Sequence, residues 1–426
     1  MMKSVLKFVA WTVIVLASLS IFGWNVKRVI RGNSNLPKSI KKNITALVEF
    51  PDVLFQITNE FRKQYPTFRK TPGDFEPINK LTDDVKILTS YHNANDTRTV
   101  ALINLRTGEE LKTWTIEKLS NVNDRIRHSI MLEDSSLVYS LNWYSGLHRI
   151  DKDGNLMWEQ QQFYHHHAMN LDKEGIIWAN TFDKEIEGEL NFSGTFTVGE
   201  DEYNFLDNGI AAVDPNSGEI LYEVSILDIL QRHNMEYLLL KAGGPKDPIH
   251  INDVEPAYYS SPYFNKGDIF ISARNGSWII QYRPETEEVI RLIEGPFFAQ
   301  HDVDIESDST IIFFNNNAQE QKKGKAVQWS MAKDPVSLEP FMSNIMRYNL
   351  RTGEFSTVEN DLFIEHDIFT FTEGIVDTVA GGGYFVEEQN SSVLWILKDG
   401  EVLYKDVLPS HRKGWHHLAN WARVIY

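Results

Sequence analysis

The chain has 426 residues, no cysteine and a formal net charge of −17. The absence of cysteine excludes disulfides and thiolate metal sites, and the acidic balance argues against nucleic acid as a partner, because phosphate binding needs a basic surface. The length allows two or three average domains or one large repeat domain, and the 12% of aromatic residues favours β-structure.

The N-terminal region has the composition of a membrane anchor. Residues 4–24 are apolar apart from one lysine and a few hydroxyl groups, and their length suits one membrane span. Trp24 suits the membrane interface, and three basic residues follow it closely. We therefore predict an anchor over residues 1–30. A cleavable signal peptide, with a weak cleavage candidate after Ala17, is the alternative.

The orientation of this anchor stays open in the sequence. Two basic residues precede the span and at least three follow it closely, so the positive-inside rule alone would put the C-terminal side in the cytoplasm. We expect a single-pass inner-membrane protein whose large domain is periplasmic, as in anchors with very short N-terminal tails. Residues 31–84 are expected to form a connector and linker, with an amphipathic helical pattern over 37–66 and prolines and polar residues over 67–84.

From residue 85 onward one pattern recurs six times: apolar residues, a turn, and apolar residues again. Five of the six turns contain Asp-Gly, Thr-Gly or Ser-Gly, which is hairpin chemistry. Repeated hairpins in an aromatic-rich chain predict an all-β fold, a six-bladed β-propeller over 85–426. The strand from Asn420 to Tyr426 has no hairpin of its own, so we expect it to pair with the first blade and close the ring. The hairpins lie at 101–111, 147–158, 211–222, 279–290, 346–355 and 394–404.

One histidine follows each hairpin, and each precedes a short apolar stretch. In a propeller such a stretch is the innermost strand, whose first residue lies at one mouth of the central channel. We therefore expect a ring of imidazoles at that mouth. A purely structural hydrogen-bonding role is the alternative for each of them. The six are His128, His167, His250, His301, His366 and His417.

Arg274 lies in the turn Ser-Ala-Arg-Asn-Gly, on the strand that returns after His250. A buried arginine among histidines is costly without an anion to pair with. Its planar fork suits two oxygens of a sulfate or a phosphate. The alternative is a salt bridge to Asp253 or Asp302.

The run His165-His166-His167 raises the question of a metal site. In an alternating strand His165 and His167 would share a face, and three histidines can hold zinc with an open position. No carboxylate with ligand spacing lies near them in the sequence. We therefore expect neither a metal nor a cofactor.

Together, His250-Ile-Asn-x-Val, Ser-x-Arg274, Gln-His301-Asp and a downstream asparagine run resemble the bacterial arylsulfate sulfotransferase family. The members of this family are six-bladed propeller enzymes that do not use PAPS. The histidine run ending at His167 is similar to an earlier channel histidine of the family. The resemblance extends over about residues 85–426.

The resemblance implies a mechanism. His301 would be the nucleophile that takes the sulfuryl group of an aryl sulfate, forming a sulfohistidine. Arg274 and His250 would bind the sulfuryl oxygens. His167 would protonate the leaving phenolate and then deprotonate the phenol acceptor. We also expect three amide side chains to contact substrate, namely Asn252, Gln300 and Asn316.

Two other functions stay open. A membrane-anchored propeller without catalysis could bind a carbohydrate, a lipid or a protein, because a fold does not decide a function. A quinoprotein-like dehydrogenase would need a Ca²⁺ site and a cofactor sandwich, for which the sequence has no convincing signature. The members compared also begin with a small β-domain and carry a disulfide, whereas this chain has no cysteine.

Overall fold

The computed structural model describes residues 67–93, 97–116, 125–141, 146–182, 192–198, 200–323, 326–337 and 340–426, with a few positions between 11 and 37. It divides the chain into one unit from Met1 to Pro66 and another from Thr67 to Tyr426. Among the described positions, no helix has the length and apolar character needed to cross a membrane. The predicted anchor and the helical part of the connector lie almost entirely outside the described residues.

The second unit consists of short antiparallel strands. In the first half of the chain they are β1 (Phe68–Lys70), β2 (Ile78–Asn79), β3 (Lys86–His92), β4 (Arg98–Asn104), β5 (Glu109–Ile116), β6 (Ile130–Met131), β7 (Leu137–Ser140), β8 (Leu147–Ile150), β9 (Leu156–Gln160), β10 (Met169–Leu171), β11 (Ile177–Phe182), β12 (Gly194–Val198), β13 (Asp201–Phe205), β14 (Asn208–Val213) and β15 (Ile220–Ser225).

The second half continues the same pattern. Its strands are β16 (Ile251–Pro256), β17 (Ile269–Ala273), β18 (Trp278–Arg283), β19 (Glu288–Ile293), β20 (His301–Ser307), β21 (Thr310–Asn315), β22 (Ala318–Lys323), β23 (Ala326–Met331), β24 (Asn344–Asn349), β25 (Phe355–Val358), β26 (Ile375–Thr378), β27 (Tyr384–Glu388), β28 (Val393–Lys398), β29 (Glu401–Val407), β30 (Trp415–His417) and β31 (Arg423–Ile425). Its helices are α1 (Ile226–Arg232), the 3₁₀ turn Glu236–Leu240 and α2 (Asn360–Glu365).

These strands form six blades, which confirms the predicted all-β six-bladed propeller. The first strand of each blade lines a central cavity. From the channel outward the blades are β31-β3-β4-β5, β6-β7-β8-β9, β10-β11-β14-β15, β16-β17-β18-β19, β20-β21-β24-β25 and β26-β27-β28-β29. Two further hairpins, β12-β13 and β22-β23, extend from the third and fifth blades.

Each predicted hairpin is the outer strand pair of one blade. In five of them a glycine takes the left-handed conformation that the turn requires, as at Gly108 with φ 72° and Gly400 with φ 77°. In the fourth hairpin Glu287 takes the same conformation, with φ 56°, without a glycine. Adjacent blades then bury their apolar faces together, as Ile271 of the fourth blade does with Ile210 of the third. Each fully buried side chain of this size contributes roughly 1.5–3 kcal/mol.

The last strand closes the ring onto the first blade, as the sequence predicts. Strand β31 pairs with β3, with Val424 opposite Ile87. The blade therefore combines the two ends of the propeller, and the innermost edge of β3 is covered.

The prediction of a linker over 67–84 is corrected, because this segment adds strands to the propeller. Strand β1 pairs with β30, where Phe68 lies opposite His417. Strand β2 extends the sixth blade by pairing with β29, where Ile78 lies opposite Lys405. These segments join the second unit because their apolar side chains pack against the blade, so this unit begins at Thr67 and not at residue 85.

Candidate functional site

Four of the six predicted histidines lie together at the start of innermost strands. His128, His167 and His250 each precede such a strand, and His301 begins one. The first three have left-handed backbones, with φ between 46° and 71°, and Asp302 has φ 56° beside His301. This conformation is strained for residues other than glycine and clusters at functional sites. All four imidazoles are buried.

His366 and His417 do not belong to this ring. His366 is the C-cap residue that follows α2 and is half-buried, while His417 lies in β30 against Tyr91, with the ring centroids 4.6 Å apart. The equivalent positions are Glu373 and Trp421, which stand two residues before β26 and β31 and also have left-handed backbones, φ 66° and 52°. The six positions around the channel, one from each blade, are therefore held by histidine, glutamate and tryptophan.

Two backbone-anchored contacts fix the protonation state of His301. Its Nδ1 lies 2.6 Å from Asn316 Oδ1 and 3.0 Å from the carbonyl of Ala299. Asn316 is oriented by its own Nδ2, which donates to the carbonyl of Thr370 at 2.8 Å. Since both groups facing Nδ1 are acceptors, Nδ1 carries the proton and Nε2 carries the lone pair.

The Nε2 atom of His301 is buried and has no hydrogen-bond partner within the described part of the chain. Burial first and the nearby Arg274 guanidinium second lower the pKa of His301, which the opposing effects of Asn316 and Glu373 leave at about 3. The ring is therefore neutral at physiological pH. A neutral imidazole with an unengaged lone pair is a nucleophile.

His167 and His250 share one proton. Their Nε2 atoms are 3.0 Å apart. Nδ1 of His167 faces Arg127 Nη1, a donor, at 3.4 Å, so the proton of His167 is on Nε2 and points at the lone pair of His250. Nδ1–H of His250 donates to Asp247 Oδ2 at 2.5 Å. This carboxylate orients His250 and supports its positive form.

His166 completes a cluster that differs from the one expected. His165 does not share a face with His167 but turns to the carbonyl of Asn180 at 2.8 Å. Instead, the ligand atoms of His166, His167 and His250 lie within 4.8 Å of one another. Asn180 Nδ2 donates to His166 Nδ1, so the Nε2–H of His166 also points at His250, at 3.3 Å. Two of three rings thus present N–H groups at the centre, which suits proton sharing better than a metal ion.

A buried cation–carboxylate group lies beside these rings. Glu373 pairs with Arg127 at 2.7 Å and with Arg125 at 2.9 Å. Burial alone raises the pKa of Glu373, but the two guanidinium groups outweigh this and hold it at about 2. Burial lowers the pKa of Arg127 to about 9, with Arg125 adding to the effect. Burial lowers the pKa values of His166 and His167, and the neighbouring histidines and then Arg127 lower them further.

Arg274 stands at the edge of the site. Its Nε donates to Asn275 Oδ1 at 2.8 Å. A pocket of about 230 Å³ opens beside it, with Lys241 and Phe298 in its lining. The alternative partners are engaged elsewhere, because Asp253 accepts the N–H of Val303 and Asp302 that of Val376. Lys241 is paired with Glu294, so the arginine and the pocket are what suit an anionic group.

The three amides predicted to contact substrate have other partners. Asn316 orients His301 and so belongs to the site through it. Asn252 Nδ2 donates to the carbonyl of Gln300 at 2.6 Å. Gln300 Nε2 donates to the carbonyls of Ala273 and Trp278, and the side chain is fully buried. Asn252 and Gln300 therefore join the fourth and fifth blades. Their amide nitrogens are committed to the backbone, while Asn252 Oδ1 and Gln300 Oε1 have no hydrogen-bond partner among the described residues, so substrate contact by these two residues stays a prediction.

Comparison with known proteins identifies the family of this chain. A family model described as arylsulfotransferase (ASST) matches residues 128–404, more than half of the chain. The chain belongs to the arylsulfotransferase family. No curated protein sequence matches it. The matched segment of this arylsulfotransferase family member includes His128, His167, His250, Arg274 and His301.

Solved structures show only distant likeness to this arylsulfotransferase family member. A protein of unknown function from Bacteroides caccae is 11% identical, with a TM-score of 0.46 over 80% of this chain and 99% of that one. Virginiamycin B lyase from Staphylococcus aureus is 13% identical, with a TM-score of 0.40 over 82% and 89%. Neither is similar enough to carry an inference about fold or function.

Sequence reasoning missed four groups of this arylsulfotransferase-family site. Arg127 and Asp247 lie one and three residues before ring histidines, and nothing in their local sequence predicts their contacts. Glu373 and Trp421 carry a usable signal, because they stand two residues before an innermost strand, as His128 and His167 do. Trp421 is fully buried against His167, with centroids 4.8 Å apart, and against His301, at 5.8 Å.

We predict that Glu373→Gln destabilises the propeller. Removing the carboxylate leaves the buried Arg127 and the partly buried Arg125 without their counter-charge, which costs about 3–5 kcal/mol. The matched control is Glu401→Gln, whose exposed partner Lys80 lies at 3.8 Å and which should cost about 1 kcal/mol or less. Denaturant unfolding measures both.

The contribution of Glu373 to the stability of the propeller also depends on pH. Its folded pKa is depressed, so the stabilisation is present above the ordinary pKa of 4.5 and is lost as the pH falls toward about 2. Equal losses of stability in Glu373→Gln and Glu401→Gln would contradict a structural role for the Glu373–arginine pairs.

Proposed function

We propose that this protein transfers a sulfuryl group from an aryl sulfate to a phenol through a sulfohistidine on His301, without PAPS and without a metal ion. The observation that carries the proposal is the state of His301. Its Nδ1–H is held by Asn316 and Ala299, and its Nε2 lone pair has no partner in the described chain. The family supports the reaction class.

In the first half-reaction, Nε2 of His301 attacks the sulfur atom of the aryl sulfate. The N–S bond forms as the bond between sulfur and the phenolic oxygen breaks. The leaving phenolate takes a proton from the protonated His167–His250 pair. The products are a phenol, a sulfuryl group on His301 and a neutral histidine pair.

The second half-reaction reverses these steps with a new phenol. The neutral His167–His250 pair removes the phenol proton, and Asp247 stabilises the imidazolium that forms on His250. The phenolate oxygen attacks sulfur, and the N–S bond to His301 breaks. The proton taken in this step is the one given away in the next turnover, so no external acid or base is consumed.

Positive charge near the site serves the sulfuryl group. Arg274 and Arg127 both lower the pKa of His250 and are therefore close enough to act on an anion placed there. Burial and this repulsion disfavour the protonated histidine pair until an anionic aryl sulfate binds. Arginine stabilises the oxygen charge that shifts during transfer, and the pocket beside Arg274 gives room for the aryl group.

We predict that His301→Ala loses sulfuryl transfer from a chromogenic nitrophenyl sulfate to phenol by roughly 10³-fold or more, since no nucleophile remains. His366→Ala is the matched control, because it removes a histidine outside the channel, and it should keep near-normal activity. Mass spectrometry of wild-type protein treated with donor alone should find one SO₃ group on the peptide that contains His301.

Three outcomes would contradict this proposal. Activity that survives His301→Ala would rule out the nucleophile. A sulfuryl group found on a different histidine would show that this other histidine is the nucleophile. Absence of phenol release from every aryl sulfate tested would favour a binding propeller of this family without catalysis.

We further propose that residues 4–24 anchor the protein in the inner membrane and that residues 85–426 are periplasmic. The apolar length of this segment and the basic residues that flank it support the proposal. A periplasmic site would meet exogenous phenols and phenyl sulfates, and it would have no access to the nucleotide PAPS of the cytoplasm.

Expression in a Gram-negative bacterium tests the anchor. The full chain should stay in the membrane fraction after an alkaline carbonate wash, and a chain without residues 1–30 should not. Alkaline phosphatase fused after Tyr426 should be active, because that enzyme matures only in the periplasm. An inactive phosphatase fusion together with a fluorescent green fluorescent protein fusion would place the domain in the cytoplasm instead.

A further inference from the structure

A second cavity, of about 390 Å³, lies in the channel beyond the histidine ring. The cavity shares His128 with the ring, and most of its other lining residues lie farther along the innermost strands. Four of its lining residues are carboxylates from three neighbouring blades, and three are tyrosines. They are Glu255, Asp302, Asp304 and Asp377, with Tyr258, Tyr259 and Tyr426.

Two of these carboxylates have a structural role. Asp302 accepts the N–H of Val376, and Asp377 accepts the N–H of Val424. Each of these bonds joins an innermost strand to the next blade. These two carboxylates therefore fix the ring and need no ligand to explain them.

Glu255 is different. Its side chain is 8% exposed, it lines the cavity, and it has no hydrogen bond or ion pair within the described residues. Burial raises the pKa of Glu255 well above its ordinary value, and repulsion by Asp304 and Asp253 adds to this. A buried carboxylate is normally paired or hydrogen-bonded. A cavity that holds one unpaired is suited to a positively charged ligand.

Arg423 is the cationic residue in the lining, and its Nη2 is already engaged, while its buried Nε has no hydrogen-bond partner among the described residues. Its Nη2 donates to His128 Nδ1 at 3.1 Å, to the carbonyl of Met169 at 2.5 Å and to Asn170 Oδ1 at 3.0 Å. It offsets the acidic charge from a distance but does not pair with Glu255.

The geometry favours an organic cation over a chelated metal ion. Calcium needs six to eight oxygen ligands at about 2.3–2.6 Å. Within the described residues, the only group of three ligand atoms within 4.8 Å is the histidine cluster, so these carboxylates do not converge on one point. Separated carboxylates match separated ammonium groups. Tyr258 and Tyr259, each about 40% exposed, offer aromatic faces that attract an ammonium group.

We propose that the carboxylate end of the channel binds an organic polyammonium ion, with Glu255 as its principal charged contact. The volume falls in the range of small-molecule sites. The proposal is independent of sulfuryl transfer, because none of its residues holds or moves the sulfuryl group in the mechanism above.

Isothermal titration calorimetry of the full chain with spermidine, in buffer with 150 mM salt, tests the proposal. Spermidine should bind with 1:1 stoichiometry, and calcium chloride in its place should give no saturable heat. Glu255→Gln keeps the shape of the side chain and should weaken spermidine binding at least tenfold. Glu219→Gln, at an exposed glutamate of the outer hairpin turn, should leave it unchanged.

A thermal shift assay keeps the test informative if Glu255→Gln changes the fold. Spermidine should raise the melting temperature of wild-type protein and should raise that of Glu255→Gln less, although the variant itself should be at least as stable as wild type without ligand. Saturable binding of calcium without spermidine, equal spermidine affinity in wild type and Glu255→Gln, or no binding of either probe would each overturn the proposal.

Discussion

The site depends on one hydrogen bond, from Nδ1–H of His301 to Oδ1 of Asn316. At 2.6 Å it is short, and the carbonyl of Ala299 reinforces it at 3.0 Å. Asn316 is held in turn by the carbonyl of Thr370, which belongs to the segment leading to the sixth blade. The fold therefore decides which nitrogen of His301 is the nucleophile, because a rotated amide or a different tautomer would point N–H at the sulfur atom.

The channel is divided by charge. Arg125, Arg127 and Arg274 lie at the end where the innermost strands begin, and the carboxylates lie farther along these strands. Strand β20 has a register irregularity between His301 and Val303, and it supplies His301 at its start and Asp304 three residues farther along. A net charge of −17 thus coexists with a local site for an anion.

Much of the fold could be predicted from the sequence because hairpin turns are local. Glycine next to an acidic or hydroxyl residue fixes a turn within four residues, and each of the six predicted hairpins lies in its own blade. The strands at 68–70 and 78–79 could not be predicted in the same way. Their partners are more than 300 residues away, and prolines and polar residues surround them.

The site was predictable only where the repeat kept the same residue type. His167, His250 and His301 recur in one local pattern, and Arg274 stands out as a cation among them. Glu373 and Trp421 occupy equivalent positions with different chemistry, so counting histidines led to His366 and His417 instead. The partners Asp247 and Arg127 depend on three-dimensional proximity, which local sequence does not encode.

The protonation state of His301 tests the account most directly. Proton–nitrogen correlation NMR on histidine-labelled protein, with His301→Gln used to assign the signal, distinguishes the two neutral tautomers and the imidazolium. We predict that the His301 ring is neutral, with its proton on Nδ1, at pH 7 and still at pH 5. Burial and Arg274 lower the pKa of His301 to about 3. A proton on Nε2, or an imidazolium at pH 5, would contradict it.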